Sequence, residues 1–372
     1  MGAVLNLRPL TRLRPTGAPR GGAPGRLNAR RRAVSALTTG AVVIVAAHLG
    51  LAAAAEASFA VRDPVYADRE AALARVERDL PPGAPLVVML GTSRTGNGFD
   101  ARRAGERLTA TLGRRADAFN FGLPAAGPVL HRVYLERLIA AGHRPALLLV
   151  EVLPPSVAVL TDGPLEAKFL DGGRFTRDEV ELLAGYGMPR DSLARQRRET
   201  LVAPWYALRF PLLGRVAPAA IPAGRRHDEG RNCDARGWYR IWEEALPPRA
   251  ISEAKARARR DYADILRDLT PGGAAARALG DTLTLAREHA IPTRLVLMPE
   301  ATEFRAMYSP GATRRLDHWV RQLARDAGCP VVDARDWVPD AGFVDGHHLL
   351  PGGSATFSDR LTDEVLAPGV AP

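Results

Sequence analysis

An α/β fold is predicted: a three-layer sandwich with a five-stranded parallel sheet, preceded by an N-terminal transmembrane helix. Three observations predict it. Short strand-like segments recur at 86–90, 116–121, 146–153, 293–298 and 330–333, and the first, LVVML, is an unbroken apolar run, as expected of a strand buried on both faces. Helical patterns separate them, and that alternation implies parallel strands joined by right-handed crossovers. Near the start, residues 33–55 contain no Asp, Glu, Lys or Arg.

The chain has 372 residues and 46% hydrophobic content, which supports a large core and excludes disorder for the bulk. Two cysteines, Cys233 and Cys329, are too few for a disulfide scaffold or a Cys-rich zinc site. The formal charge of +10 is unevenly placed, because residues 1–32 hold eight arginines and no acid. The remainder carries about +2, so nucleic acid is not an expected partner.

Taken in order, residues 1–32 form a basic tail and 33–55 a transmembrane helix, roughly 34 Å long at 1.5 Å per residue. A cleaved secretion signal is the competing reading, since 52–57 is rich in small residues. As an anchor, the helix keeps its arginines on the cytoplasmic side. The expected location is therefore the cytoplasmic membrane, single-pass, with the N-terminus inside and the following domain extracytoplasmic. There Cys233 and Cys329 have two outcomes open to them, one disulfide or two buried thiols. Residues 56–82 read as a polar juxtamembrane helix, ending at Pro81-Pro82, and 83–372 as the domain proper.

Within that domain the run LVVML (86–90) is the first strand, and Asp100 caps a helix reaching about Leu112. The second strand (116–121) leads to a helix at 128–141, and the third (146–153) to a long Pro-, Gly- and Arg-rich insertion, about 154–250. An insertion there reads as a lid or substrate-shaping subdomain, or else as a loop. Helices at about 273–289 and 311–327 precede the fourth and fifth strands. Pro351 starts the last helix.

Parallel sheets bind ligands where their strands end at the carboxyl side. After the first strand stands Gly91-Thr92-Ser93-Arg94. A serine on a strand-to-helix turn is held exposed beside free backbone N–H groups, which supplies a nucleophile and part of an oxyanion hole. Near the C-terminus, FVDGHHLLPGG places Asp345 three residues before His348. A histidine suits the general base, and a carboxylate on its Nδ1 side orients it. His347 is a rival base. A metal held by Asp345, His347 and His348 is a further rival, although HExxH spacing is absent. Trp238, Tyr239 and Trp242 either stack on a sugar ring or pack the insertion. Residues 255–260 (KARARR) read as the solvated face of a helix.

The fragments VVMLGTSRTGNGFD, FNFGLPAAGP and FVDGHHLLPGGSATFSDRL resemble the marked blocks of SGNH (GDSL-type) hydrolases. They are most similar to the membrane-anchored, extracytoplasmic branch that includes polysaccharide O-acetylation and teichoic-acid D-alanylation proteins. The resemblance covers 86–153 and 293–366. It implies an SGNH/flavodoxin-like fold, a Ser93–His348–Asp345 triad, and substrate or oxyanion contacts from Arg94, Asn120, Gly122 and Gly127. It also implies an O-acyltransferase or esterase acting on acyl esters, acetyl above all, of a cell-envelope or exported polysaccharide. A multi-pass acyl donor protein in the same membrane is an expected partner, with no cofactor and no metal. Two positions depart from the family: Ala125 stands where a glycine is common, and Glu151 falls where an asparagine donor is expected. That second departure supports the alternative of a non-catalytic polysaccharide-binding or scaffold protein of the same fold.

Overall fold

The computed structural model describes residues 24–221, 233–240 and 244–371, so most of the basic tail and Trp242 lie outside the described residues. The chain divides into two units, Met1–Gly50 and Leu51–Pro372. Helix α1 (Pro24–Ala57) contains Asn28–Ala57, a stretch long and apolar enough to cross a membrane.

The second unit begins with α2 (Phe59–Arg62) and α3 (Pro64–Asp79), then β1 (Leu86–Gly91), α4 (Ser93–Gly98), α5 (Ala101–Leu112) and β2 (Asp117–Gly122). Next come α6 (Pro128–Ala140) and β3 (Leu147–Glu151), followed by α7 (Arg177–Gly185), α8 (Arg190–Val202), α9 (Pro204–Ala207) and α10 (Arg209–Val216). The chain continues with α11 (Pro248–Arg267), α12 (Gly273–Glu288), β4 (Thr293–Leu297), α13 (Thr302–Arg305), α14 (Pro310–Ala327) and β5 (Val331–Asp333), and ends with α15 (Pro351–Leu361) and α16 (Ala367–Val370).

The five strands form one parallel sheet in the order β2-β1-β3-β4-β5. Alternate residues of each strand point to opposite faces, and both faces are covered. Val88, Leu90, Phe119, Phe121, Leu148 and Val150 pack with α3, α6, α12 and α14. Val87, Met89, Ala118, Leu149, Val296 and Val332 pack with α5, α15 and the chain that follows it. This double coverage is why LVVML of β1 reads as an unbroken apolar run. The register pairs Gly91 with Gly122, Leu90 with Val150 and Glu151 with Val296, so the carboxyl ends line up along one edge.

The segment expected as a juxtamembrane helix, 56–82, is part of this body. Asp63 caps α3 by accepting the Tyr66 N–H, and Tyr66, Leu73 and Val76 enter the core. Asp63 is fully buried and meets Arg137 of α6 at 2.7 Å and Arg174 at 3.0 Å, while Arg137 also meets Glu179 of α7 at 2.7 Å. This ion network ties the chain just past α1 to the insertion.

The described part of the insertion is largely helical. Thr176 and Glu179 form a reciprocal capping box at the start of α7. Residues 233–240 run along the outer edge of β2, where Asn120 N–H donates to Arg236 O at 2.9 Å and Arg236 pairs with Asp117 at 2.7 Å. Cys233 and Cys329 are not joined by a disulfide, so that outcome does not occur.

Glu166 joins the insertion to the N-terminus of α6 by accepting the N–H groups of Gly127, Val129 and Leu130 at 2.7, 2.9 and 3.2 Å. Burial pushes its carboxyl from 4.5 up to about 7 against the opposing pull of those donors. A folded-state pKa above the unfolded one gives a contribution fully present below pH 4.5 and lost as pH rises through about 7. The thermal midpoint of the full chain is therefore expected to fall across that window. The Glu166→Gln chain is expected to lose this slope, and an unchanged slope in the variant would assign it to other groups.

Candidate active site

Strand β1 delivers the chain to a turn at Gly91, and Thr92 caps α4 by accepting the Arg94 N–H at 3.1 Å. Ser93 is the first residue of α4, where backbone N–H groups have no intrahelical acceptor. The turn has no room for a side chain at Gly91, whose added Cβ would overlap Thr95 and Glu151.

From the other end of the chain, residues 343–349 form a tight loop closed by a Phe343–Leu349 bridge and a Val344 N–H to His348 O bond of 3.0 Å. Gly346 sits at φ 91, a left-handed conformation that favours glycine. The loop brings His348 Nε2 to 2.8 Å from Ser93 Oγ, and His348 Nδ1 to 2.7 Å from Asp345 Oδ2. Asp345 Oδ1 accepts the N–H groups of His347 and His348 at 3.1 and 2.8 Å. Burial alone would raise the Asp345 carboxyl, but the facing His348 and His347 and these donors hold it well below the usual carboxylate range. Asp345 thus stays ionised beside the imidazole.

Helix α15 locks the two segments together. Ser354 Oγ donates to Gly98 O at 3.0 Å, and Ser358 Oγ accepts the Asp100 N–H at 2.9 Å.

His347 faces away from Ser93. Its ring lies between Tyr262 and Phe304, with centroids at 5.2 and 5.0 Å, and burial pushes its pKa well below the ordinary value. Its Nδ1 is 3.2 Å from Asp345 Oδ1 but without hydrogen-bond geometry. Potential ligand atoms of Asp345, His347 and His348 do lie within 4.8 Å of one another. Both ring nitrogens of His348 are, however, already engaged by Asp345 and Ser93.

Four expected contact residues have other work. Arg94 is buried and points beneath the site, donating to His347 O, Met298 O and Pro299 O at 3.2, 3.1 and 2.8 Å and facing Glu300 at 3.5 Å. It is a positioning residue linking α4 to the end of β4. The Asn120 amide donates to Thr95 O, Gly96 O and Phe99 O at 2.8, 3.2 and 2.7 Å, and its Oδ1 takes the Gly122 N–H. A Cβ on Gly122 would strike the Gly96 backbone, so this glycine permits the close approach of α4 to β2. The Gly127 N–H is taken by Glu166. Asn120, Gly122 and Gly127 therefore shape the site without offering a free donor. Asn97 is likewise turned inward, donating to Ser93 O at 2.7 Å.

Trp238 and Tyr239 brace α4, which carries Ser93. Trp238 Nε1 donates to Asn97 O and the Tyr239 N–H to Gly96 O, both at 2.8 Å. Their contacts are those of packing.

The backbone N–H groups of Ser93 and Ala125 have no acceptor among the described residues. Ala125 adopts φ 58, the left-handed conformation that a glycine takes without strain. The turn is accommodated despite the alanine.

The sequence reading missed the part played by Glu151. This fully buried carboxylate at the end of β3 accepts the Thr92 N–H at 2.7 Å, Thr92 Oγ1 at 3.0 Å and Thr95 Oγ1 at 2.7 Å. It clamps the turn on both sides of Ser93, and the threonines flanking that serine were its sequence signal. Glu151→Ala strips three donors of their acceptor, and loosening of this turn is expected to lower any Ser93-dependent rate by about 10²-fold. Single-turnover labelling of Ser93 measures the effect, and a rate within threefold of the parent contradicts the clamp.

No protein-family model matches this chain, and no curated protein matches it. Solved structures similar to it include a mutant of the esterase AlinE4, at 12% identity and TM-score 0.30 over 68% of this chain and 77% of that one. Another is a putative lipolytic protein of the G-D-S-L family from Desulfitobacterium hafniense DCB-2, at 10% identity and TM-score 0.33 over 75% and 98%. A third is LAE5, an alpha/beta hydrolase enzyme from the metagenome of Lake Arreo, Spain, at 10% identity and TM-score 0.31 over 79% and 99%. It is the strand order that places the chain among the parallel, doubly wound α/β folds of flavodoxin-like topology.

Proposed function

We propose that this chain is a membrane-anchored, extracytoplasmic serine acyltransferase or esterase of the SGNH type. Its substrates in this reading are acyl esters, acetyl above all, of a cell-envelope or exported polysaccharide. The observation that carries the proposal is the hydrogen-bonded chain from Ser93 Oγ through His348 to Asp345 at the carboxyl edge of the sheet.

Ser93 Oγ attacks the ester carbonyl as His348 Nε2 takes its proton. The tetrahedral oxyanion rests on the N–H groups of Ser93 and Ala125. The intermediate collapses by expelling the alcohol, which receives the proton from His348, and leaves an ester on Ser93. A second hydroxyl, or water, is then deprotonated by His348 and takes the acyl group. Asp345 holds the imidazole and stabilises its cationic form throughout. With no side-chain amide donor, a hole built from backbone alone is expected to run slower by about 10²–10³-fold than one with a side-chain donor. Such a rate suits transfer from an activated donor in the same membrane better than bulk hydrolysis.

The test is a fluorophosphonate probe applied to the full chain in detergent. One labelled site is expected at Ser93, abolished in Ser93→Ala at an unchanged thermal midpoint. Equal labelling in that variant would reject Ser93 as the nucleophile.

A further inference from the structure

One cavity of the Leu51–Pro372 unit plays no part in that chemistry. It encloses about 890 Å³ between α2 and α3 (Arg62, Val65), the turn after β2 (Leu123, Pro124) and α8–α10 (Leu208, Phe210). That volume is within the roughly 300–1,000 Å³ range of small-molecule sites.

Its mouth is apolar and exposed to solvent. Phe169, Val202 and Tyr206 line it while 62%, 73% and 70% exposed, and Trp205 and Val216 of the same helices are also exposed. Beyond α1, the exposed large apolar side chains among the described residues are these five together with Val159 and Leu213. Apolar surface concentrated around one cavity marks a site with an apolar occupant.

The charges of the wall say what the other end of that occupant carries. Arg174 is neutralised by Asp63, Arg215 by Asp68, and Arg195 lies 3.8 Å from Glu199. Two arginines keep unspent capacity. Arg198 is exposed and has no acidic partner among the described residues. Arg62 is 8% exposed, its Nη1 donates to Ala55 O and Glu56 O at the end of α1, and its Nε has no partner. Arg62 also follows Ala57, the last residue of the apolar stretch Asn28–Ala57, by only five positions. Trp and Tyr beside arginines are the residues that favour the boundary between lipid and water.

We propose that this cavity seats one anionic phospholipid of the bilayer, its chains inside and its phosphate beside Arg198. The seat is independent of the acyl chemistry at Ser93.

The test uses the full chain in phosphatidylcholine nanodiscs carrying traces of a diazirine-tailed phosphatidylglycerol or, separately, a diazirine-tailed phosphatidylcholine. Irradiation followed by peptide mapping is expected to place the phosphatidylglycerol label in 196–215, at least about fivefold above the phosphatidylcholine label. Ala207→Trp fills the cavity from α9 and is expected to remove that label while labelling within 28–57 persists. Arg198→Glu, on an exposed side chain that folding does not depend on, is expected to erase the headgroup preference. Labelling confined to 28–57, equal labelling by the two probes, or cavity labelling indifferent to Ala207→Trp each overturns the site. A bilayer merely touching the helices gives the last pattern. If Ala207→Trp fails to fold, the Arg198→Glu result decides. Fluorophosphonate labelling of Ser93 is read on the same samples, so loss of lipid capture with Ser93 labelling intact rejects the lipid seat alone.

Discussion

Asp345→Asn is expected to lower ester turnover by about 10⁴-fold, or about 5.5 kcal/mol of transition-state stabilisation. The amide oxygen can still accept the backbone N–H groups of His347 and His348, so the loop keeps its shape. The other amide atom is then an NH₂ facing His348 Nδ1, which forces the proton onto Nε2, the atom that must receive one from Ser93. No charge is left to stabilise the imidazolium. The readout is the turnover number on a chromogenic acetyl ester, with KM expected to hold. Turnover within tenfold of the parent would remove Asp345 from the reaction and, with it, the role assigned to His348.

Asp63→Ala is expected to cost about 3–5 kcal/mol of stability, since it removes one member of a buried ion network and leaves the others unpaired. Of its hydrogen bonds Arg174 would keep that to the Tyr134 hydroxyl, and Arg137 would keep those to Glu179 and to the Arg174 carbonyl. Helix α3 would also lose its cap. Burial would raise the Asp63 carboxyl, but Arg174 and Arg137 overcome it and hold the pKa below its ordinary value. A depressed folded-state pKa gives stability present above the ordinary value near 3.8 and lost as pH falls through the folded one. Urea unfolding of the full chain in detergent at neutral pH reads the loss. A change under 1 kcal/mol would show that the network contributes little.

The sheet was legible because burial on both faces leaves a local trace: LVVML and TRLVLM admit few other structures, and their bounds held to about one residue. The serine, histidine and aspartate were legible because their spacing is itself the signal. The surrounding side chains were not. Asn120 reads as a polar residue in a strand, and only the fold brings Thr95, Gly96 and Phe99 carbonyls to its amide. Arg94 beside the serine reads as a substrate contact, yet three carbonyls and Glu300 meet it beneath the site. Helix α4 leaves no trace in the sequence because its glycines, Gly96 and Gly98, oppose helix formation, and tertiary contacts overrule them. In the insertion, prolines break α8–α10 into pieces too short for periodicity to reveal, although the Thr176–Glu179 box marks the start of α7.

The two serine latches from α15 to the α4–α5 junction have a consequence for biosynthesis. Ser93 and His348 are 255 positions apart, and the helix that clamps them together follows both of them in the chain. Synthesis proceeds from the N-terminus, so a nascent chain carries its hydroxyl long before its imidazole. The Ser93–His348 contact is thereby withheld until this helix has been made, and a product terminated before residue 348 lacks it.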